Sequence, residues 1–205
     1  VSKPQVWQLW SKVVAASLPV LVISPLDDWF EAHFYNYITV AAMLILYGIL
    51  FFVVENRRIT PHVTKLEQIT YRDALIIGLW QCLAIIPGTS RSGATIVGGL
   101  LLGLSRACVA EFTFFLAIPV MAGASLLKLV KFFGKGNSFT LDQTVVLIVG
   151  CAVAFIVSII AIRFLMDYVK RHTFTAFGVY RIALGIVVLV IWGVQTFVLK
   201  APAAV

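Results

Sequence analysis

The chain has 205 residues, 61% of them hydrophobic and 12% charged, with a formal net charge of +7 and a mean hydropathy of +1.01. A water-soluble domain is nearer half apolar and a quarter charged, so this composition excludes an ordinary soluble fold and fits a chain dissolved in lipid. The positive charge does not indicate nucleic acid, because the sixteen Lys and Arg residues are scattered through short connections with no basic stripe and no nucleic-acid fold signature.

In chain order, positions 1–10 show no short apolar core with a small-residue cleavage site, so no signal peptide is read there. The chain begins with Val1, which is read as the start of an internal fragment. A helix needs about 20 apolar residues to cross roughly 30 Å of hydrocarbon. The run 13–26 falls short of that and is interrupted by Pro19 and Pro25. Spans are predicted over 37–54, over 107–130 with a kink at Pro119, over 144–162, and over 176–199. In the last of these, Arg181 lies near the start and is expected to snorkel to the interface. The fold class is all-α: a polytopic membrane helix bundle, read as one integral membrane domain over residues 1–205.

One apolar stretch does not fit a simple span. Segment 74–86 reaches only about 20 Å at a rise of 1.5 Å per residue, and 94–105 is shorter still. Pro87-Gly88-Thr89-Ser90-Arg91-Ser92-Gly93 lies between them. A single straight helix would be about 48 Å long with Arg91 near its middle. The pattern therefore predicts a re-entrant hairpin over 74–105, with its polar tip inside the membrane, where irregular backbone survives only against protein or a wet cavity. With this hairpin, loop 55–73 (Arg57, Arg58, Lys65, Arg72), Arg106, and loop 163–175 (Arg163, Lys170, Arg171) share one side. The other side holds 27–36, without Lys or Arg, and 131–143, with Lys131 and Lys135. The richer side is expected to be cytoplasmic. No internal repeat is evident.

Arg91 is the centre of the polar tip. An arginine at bilayer depth costs at least about 2.5–3.5 kcal/mol, so something must compensate it. Its planar fork matches phosphate or carboxylate oxygens in pairs. Ser90, Ser92 and Thr95 add hydroxyls, and Gly88 and Gly93 let backbone N–H groups approach a ligand. A helix starting near 92–95 would aim its free N–H groups and positive dipole end at the same place. Together these describe a site for a small anion or a charged head group. The bland alternative is scaffolding, with Arg91 paired to Glu111.

Glu111 is the only carboxylate well inside an apolar run, and an ion pair or a role at a helix start suits it better than catalysis. Cys82, Cys108 and Cys151 form no CxxC and read as small apolar residues. His33, His62 and His172 lack metal-ligand spacing. Trp7, Trp10, Trp29, Trp80 and Trp192 are expected in an interfacial aromatic belt.

The stretch YRDALIIGLWQCLAIIPGTSRSGATIVGGLLLGLSRACVAEFTFFLAIPVMAGA closely resembles the second signature region of the bacterial undecaprenyl-diphosphate phosphatases, the bacitracin-resistance family. The motif Pro-Gly-x-Ser-Arg-Ser-x-x-Thr falls on Pro87, Gly88, Ser90, Arg91, Ser92 and Thr95; FTAFGVYRIALG continues the resemblance weakly toward the C-terminus. The resemblance implies an inner-membrane enzyme of an inverted-repeat fold. It would hydrolyse undecaprenyl diphosphate to undecaprenyl phosphate and phosphate, recycling the carrier for peptidoglycan synthesis and conferring bacitracin resistance. It implies Arg91, Ser90 and Thr95 as catalytic residues, and Ser92, Gly88, Gly93 and Gln81 as substrate-binding ones. A divalent metal ion, Mg or Ca, is the implied cofactor. The implied partners are the polyprenyl diphosphate lipid, the bilayer and a second copy of the chain. The family's earlier signature, a glutamate-rich helix followed by Pro-Val-Ser-Ser-Thr-Gly-His, has no counterpart in these residues, so the expected metal ligands are absent and the chain alone is expected to be inactive. A transporter or flippase for a polyprenyl phosphate lipid is the alternative, since broken helices at the midplane serve transport as well.

Overall fold

The structure, a computed structural model, describes residues 3–57 and 60–198. Arg58, counted above in the basic loop, and Leu199, the expected end of the last span, lie outside the described residues. Among the described residues eight α-helices follow one another: α1 (Lys3–Ile23), α2 (Asp27–Phe34), α3 (Tyr37–Asn56), α4 (Tyr71–Cys82), α5 (Arg91–Leu101), α6 (Arg106–Gly134), α7 (Leu141–Arg171) and α8 (Thr175–Gly193). Among the described residues no strand forms beyond an isolated parallel bridge between Val63 and Leu104. Five stretches of the described residues are long and apolar enough to cross a membrane: Gln5–Phe34, Tyr37–Asn56, Arg106–Gly134, Leu141–Arg171 and Thr175–Thr196. The protein is an all-α, multi-pass membrane bundle.

The first of these stretches corrects the sequence reading of 13–26. The helix continues through Pro19, and a short 3-10 turn (Ser24–Leu26) joins α1 to α2. Pro25 occupies the opening positions of that turn, where its missing N–H has no intrahelical partner to lose. Segment 27–36, expected as a loop, is instead largely α2. Asp27 and Asp28 in its first turn suit the positive helix end. α7 is longer than the expected 144–162 at both ends. Thr140 and Gln143 form a reciprocal capping box that starts it early. At its far end hydropathy falls after 162, but no helix breaker follows until the chain reaches His172.

Two close helix pairs frame the centre. In α3 and α8, a Cβ on Gly48 would stand 2.9 Å from the Gly178 carbonyl oxygen, and one on Gly178 would stand 3.0 Å from that of Gly48. This is the backbone-to-backbone approach that small residues permit in membranes. In α1 and α4, Gly78 meets the Ala16 carbonyl with the same economy. α5 runs between the pairs and packs on α3, α4 and α6, with Ala94, Thr95 and Val97 wholly buried. Trp80 lies over Gly98 and closes the α4–α5 seam, because a bulky ring needs a bare backbone opposite it. α7 is the opposite case: its most apolar window has no buried residue, as for a helix that meets hydrocarbon on every side.

Candidate anion-binding site

The site is built on the turn between α4 and α5. The Thr89 N–H donates to the Ile86 carbonyl at 3.1 Å, and Gly88 has φ of +89°. Pro followed by a positive-φ Gly is the pattern of a type II turn. A single straight helix through this region is therefore excluded. Gly88 also lies against α3, where a Cβ would come 2.6 Å from the Val40 carbonyl oxygen. Its bareness thus serves the fold directly.

Ser90 caps α5. Its Oγ accepts from the Gly93 N–H at 3.2 Å and lies 3.1 Å from the Ser92 Oγ. The N–H groups of Arg91 and Ser92, in the first turn, have no intrahelical acceptor. Arg91 is half-buried, and among the described residues its guanidinium has neither ion pair nor hydrogen bond. Thr95 is fully buried; its hydroxyl reaches the Ser92 carbonyl at 3.0 Å and the Thr113 Oγ1 at 3.1 Å. It therefore ties α5 to α6. Gln81 is 3% exposed, and its Nε2 has no partner among the described residues.

Gln81, Ser90, Arg91, Ser92, Gly93 and Thr95 line one cavity of about 420 Å³. Gly88 is not on its wall and acts through its carbonyl. The remaining wall is largely apolar: Phe51, Phe114, Leu165, Val169, Phe174 and Phe177. Polar and apolar side chains therefore share one space.

The sequence reading missed Arg181. It does not snorkel: it is 8% exposed, and its Nη2 donates to the Gly88 carbonyl at 2.9 Å. Its guanidinium carbon lies 5.6 Å from the Tyr47 ring centroid. The physical reason is its helical face. Gly178 and Gly185, three before and four after it, are the buried contact residues of α8, so Arg181 is carried inward with them. That glycine spacing was the signal available in the sequence.

Glu111 forms no pair with Arg91. It is exposed, while Ala110, Thr113, Phe114 and Ala117 give the cavity-facing stripe of α6. Among the described residues the ion pair that does form joins Arg106 to Glu55. No carboxylate, histidine or cysteine lines the cavity, and no three such groups gather among the described residues. The residues present therefore do not fit a divalent ion. They can hold and neutralise an anion, but none can take up a proton at neutral pH.

Sequence comparison agrees with the motif. The profile of the family described as bacitracin resistance protein BacA matches residues 2–187. An undecaprenyl-diphosphatase of Streptococcus gordonii is 59% identical over 189 residues, covering 91% of this chain and 67% of the relative. Relatives of the same name from Lactococcus lactis subsp. cremoris (56% over 195 residues, 93% of this chain and 69% of the relative) and Enterococcus faecalis (53% over 193 residues, 93% and 70%) are similar in extent. With its motif, its arginine-lined cavity and these matches in agreement, the chain belongs to the bacitracin resistance protein BacA family.

Proposed function

We propose that this chain works in the hydrolysis of undecaprenyl diphosphate to undecaprenyl phosphate and phosphate at the bacterial inner membrane, returning the carrier to peptidoglycan synthesis and so conferring bacitracin resistance. One observation supports this above the others: Arg91, half-buried and with no partner among the described residues, stands at the capped start of α5 in a cavity whose remaining wall is largely apolar. A cation left unpaired in such a place calls for an anionic ligand. An apolar wall beside it suits the hydrocarbon that follows the head group.

The cavity's own residues bind and orient. Arg91 and Ser92, with the first N–H groups of α5, receive phosphoryl oxygens and balance the charge that builds up as the anhydride bond breaks. Ser90 holds the helix start in place. Thr95 braces that turn from beneath through Thr113. The base that activates water is not on this wall, and losing such a base typically costs 10²–10⁴-fold. We therefore assign it to the glutamate-rich segment that the family resemblance implies, which would also hold the divalent ion. The hairpin is proposed to be re-entrant, because α4 (12 residues) and α5 (11 residues) would span only about 18 and 16 Å, short of roughly 30 Å.

The test is phosphate release from undecaprenyl diphosphate in detergent by this chain co-expressed with a relative's glutamate-rich segment. Release should depend on both pieces. Arg91→Lys should lower it by about 100-fold with membrane insertion unchanged, because lysine keeps the charge and loses the paired donors. Near-normal release by Arg91→Lys would remove Arg91 from the site. Tight lipid binding by the assembled pair with no release would favour a carrier instead. Metal-dependent release by this chain alone would mean that a base such as Glu111 had been overlooked.

A further inference from the structure

The reaction described above leaves one cation of the cavity unused. Arg181 enters from α8 and spreads its fork over the hairpin tip. Nη2 holds the Gly88 carbonyl, and Nη1 lies 3.5 Å from where a Cβ on Gly93 would be. A second positive charge thus sits beside the positive end of α5, where like charge is unfavourable. The Gly88 carbonyl and the face of Tyr47 compensate it only in part. No carboxylate on the cavity wall completes the balance.

Two further donors near this point are unsatisfied. Arg181 Nε and Gln81 Nε2 are both buried without a partner among the described residues, and both residues line the cavity. A buried donor with no acceptor is a standing cost, and natural structures rarely keep one unless a ligand or water meets it. Gln81 and Arg181 come from different helices, α4 and α8, so one helix's local accident does not explain both.

We propose that Arg181 is the second binding arginine of this cavity, taking one phosphoryl group of a diphosphate together with Gln81 while Arg91, Ser92 and the α5 N-terminus take the other. The proposal rests on the reading of the tip as an anion site and deepens it. Two separate cations suit two linked phosphoryl groups, whereas a lone phosphate can engage one cradle fully and the other only in part. The Gly88 carbonyl orients the Arg181 fork before the ligand arrives, so little ordering is left to do on binding.

Equilibrium dialysis of the full chain in detergent, with labelled inorganic diphosphate and labelled inorganic phosphate, tests this. The unmodified chain should prefer diphosphate. Arg181→Gln should weaken diphosphate by about tenfold or more, the scale of one charge-assisted contact, and phosphate by less than about threefold. Arg181→Lys, which keeps the charge and the fold's electrostatic balance, should cut the preference by several fold while leaving phosphate affinity nearly intact. If Arg181→Gln fails to fold, Arg181→Lys decides alone. An unchanged diphosphate preference in the folded variants would overturn the proposal, and so would equal weakening of both anions, which is what a merely structural strut predicts. Failure of the unmodified chain to bind either anion, or no effect of Arg91→Gln on either, would instead overturn the anion site itself, and the proposal with it.

Discussion

Arg106 and the arginines of the hairpin tip are held in opposite ways within one small bundle. Arg106, at the start of α6, meets Glu55 with Nε at 2.9 and 3.1 Å from the two carboxylate oxygens, and its Nη2 also contacts Oε2. Glu55 accepts in addition from the Phe174 N–H at 2.9 Å, so one carboxylate joins the end of α3, the start of α6 and the turn before α8. Arg91 and Arg181 have no carboxylate at all on their shared wall. This chain thus provides a counter-ion where an arginine joins helices and none on the cavity wall, where the proposed site needs an arginine free for a ligand. A bidentate pair fixes helices; an unpaired guanidinium stores binding capacity at the expense of stability.

That contrast can be broken in three places. The largest effect is expected at Gly88, where both the positive φ and the contact with Val40 exclude a side chain. Gly88→Ala should lower stability in detergent by about 2 kcal/mol or more and abolish anion binding, since a left-handed conformation alone costs about 1–2 kcal/mol for an L-residue. Thermal unfolding and dialysis of phosphate measure the two effects. Stability and binding near those of the unmodified chain would show that the tip is not held through this turn.

Next is Glu55→Gln. It removes the charge that joins three elements and leaves Arg106 unpaired. Arg106 is 44% exposed and can turn to solvent, so the full cost of breaking a buried pair does not apply. A loss of about 1–2 kcal/mol is expected, with phosphate affinity unchanged within about twofold. A large fall in anion affinity without loss of stability would contradict the division of labour between the two arginine environments.

The smallest perturbation tests depth. Single cysteines at Arg72 and Ala107, in a background lacking Cys82, Cys108 and Cys151, flank the hairpin without touching its tip. An impermeant thiol reagent should label both from the same face of sealed vesicles, with stability barely altered. Labelling from opposite faces would show that α4 and α5 together cross the bilayer. The tip arginines would then lie on a transmembrane path and no longer on a returning one.

Much of this molecule was legible from residue patterns. Long apolar runs fixed the class, because a backbone in hydrocarbon must satisfy its own hydrogen bonds and a helix does so locally. Pro87-Gly88 announced the turn, because it acts through its immediate neighbours, and the helix start read near 92–95 falls at Arg91, where Ser90 caps it. Elsewhere the reading slipped: Pro19 and Pro25 looked like interruptions of a run that continues from α1 through a 3-10 turn into α2, and the polar end of α7 looked like a loop.

What the chain's order determined by itself was therefore local: spans, the turn, a helix start after it, and the clustering of Ser90, Arg91 and Ser92 on which the proposed anion site rests. Tertiary packing alone decided which charges would meet. Glu55 and Arg106 are 51 positions apart, and Arg181 and Gly88 are 93 apart. No local rule links such pairs. The glycine seam between α3 and α8 turns Arg181 inward onto the hairpin, while the packing of segment 60–70 on the α5–α6 junction, through Val63 and Gly103, lies beside the Arg106–Glu55 pair. An arginine's partner in a bundle follows from the face its helix must bury, and that face is settled only when the helices pack.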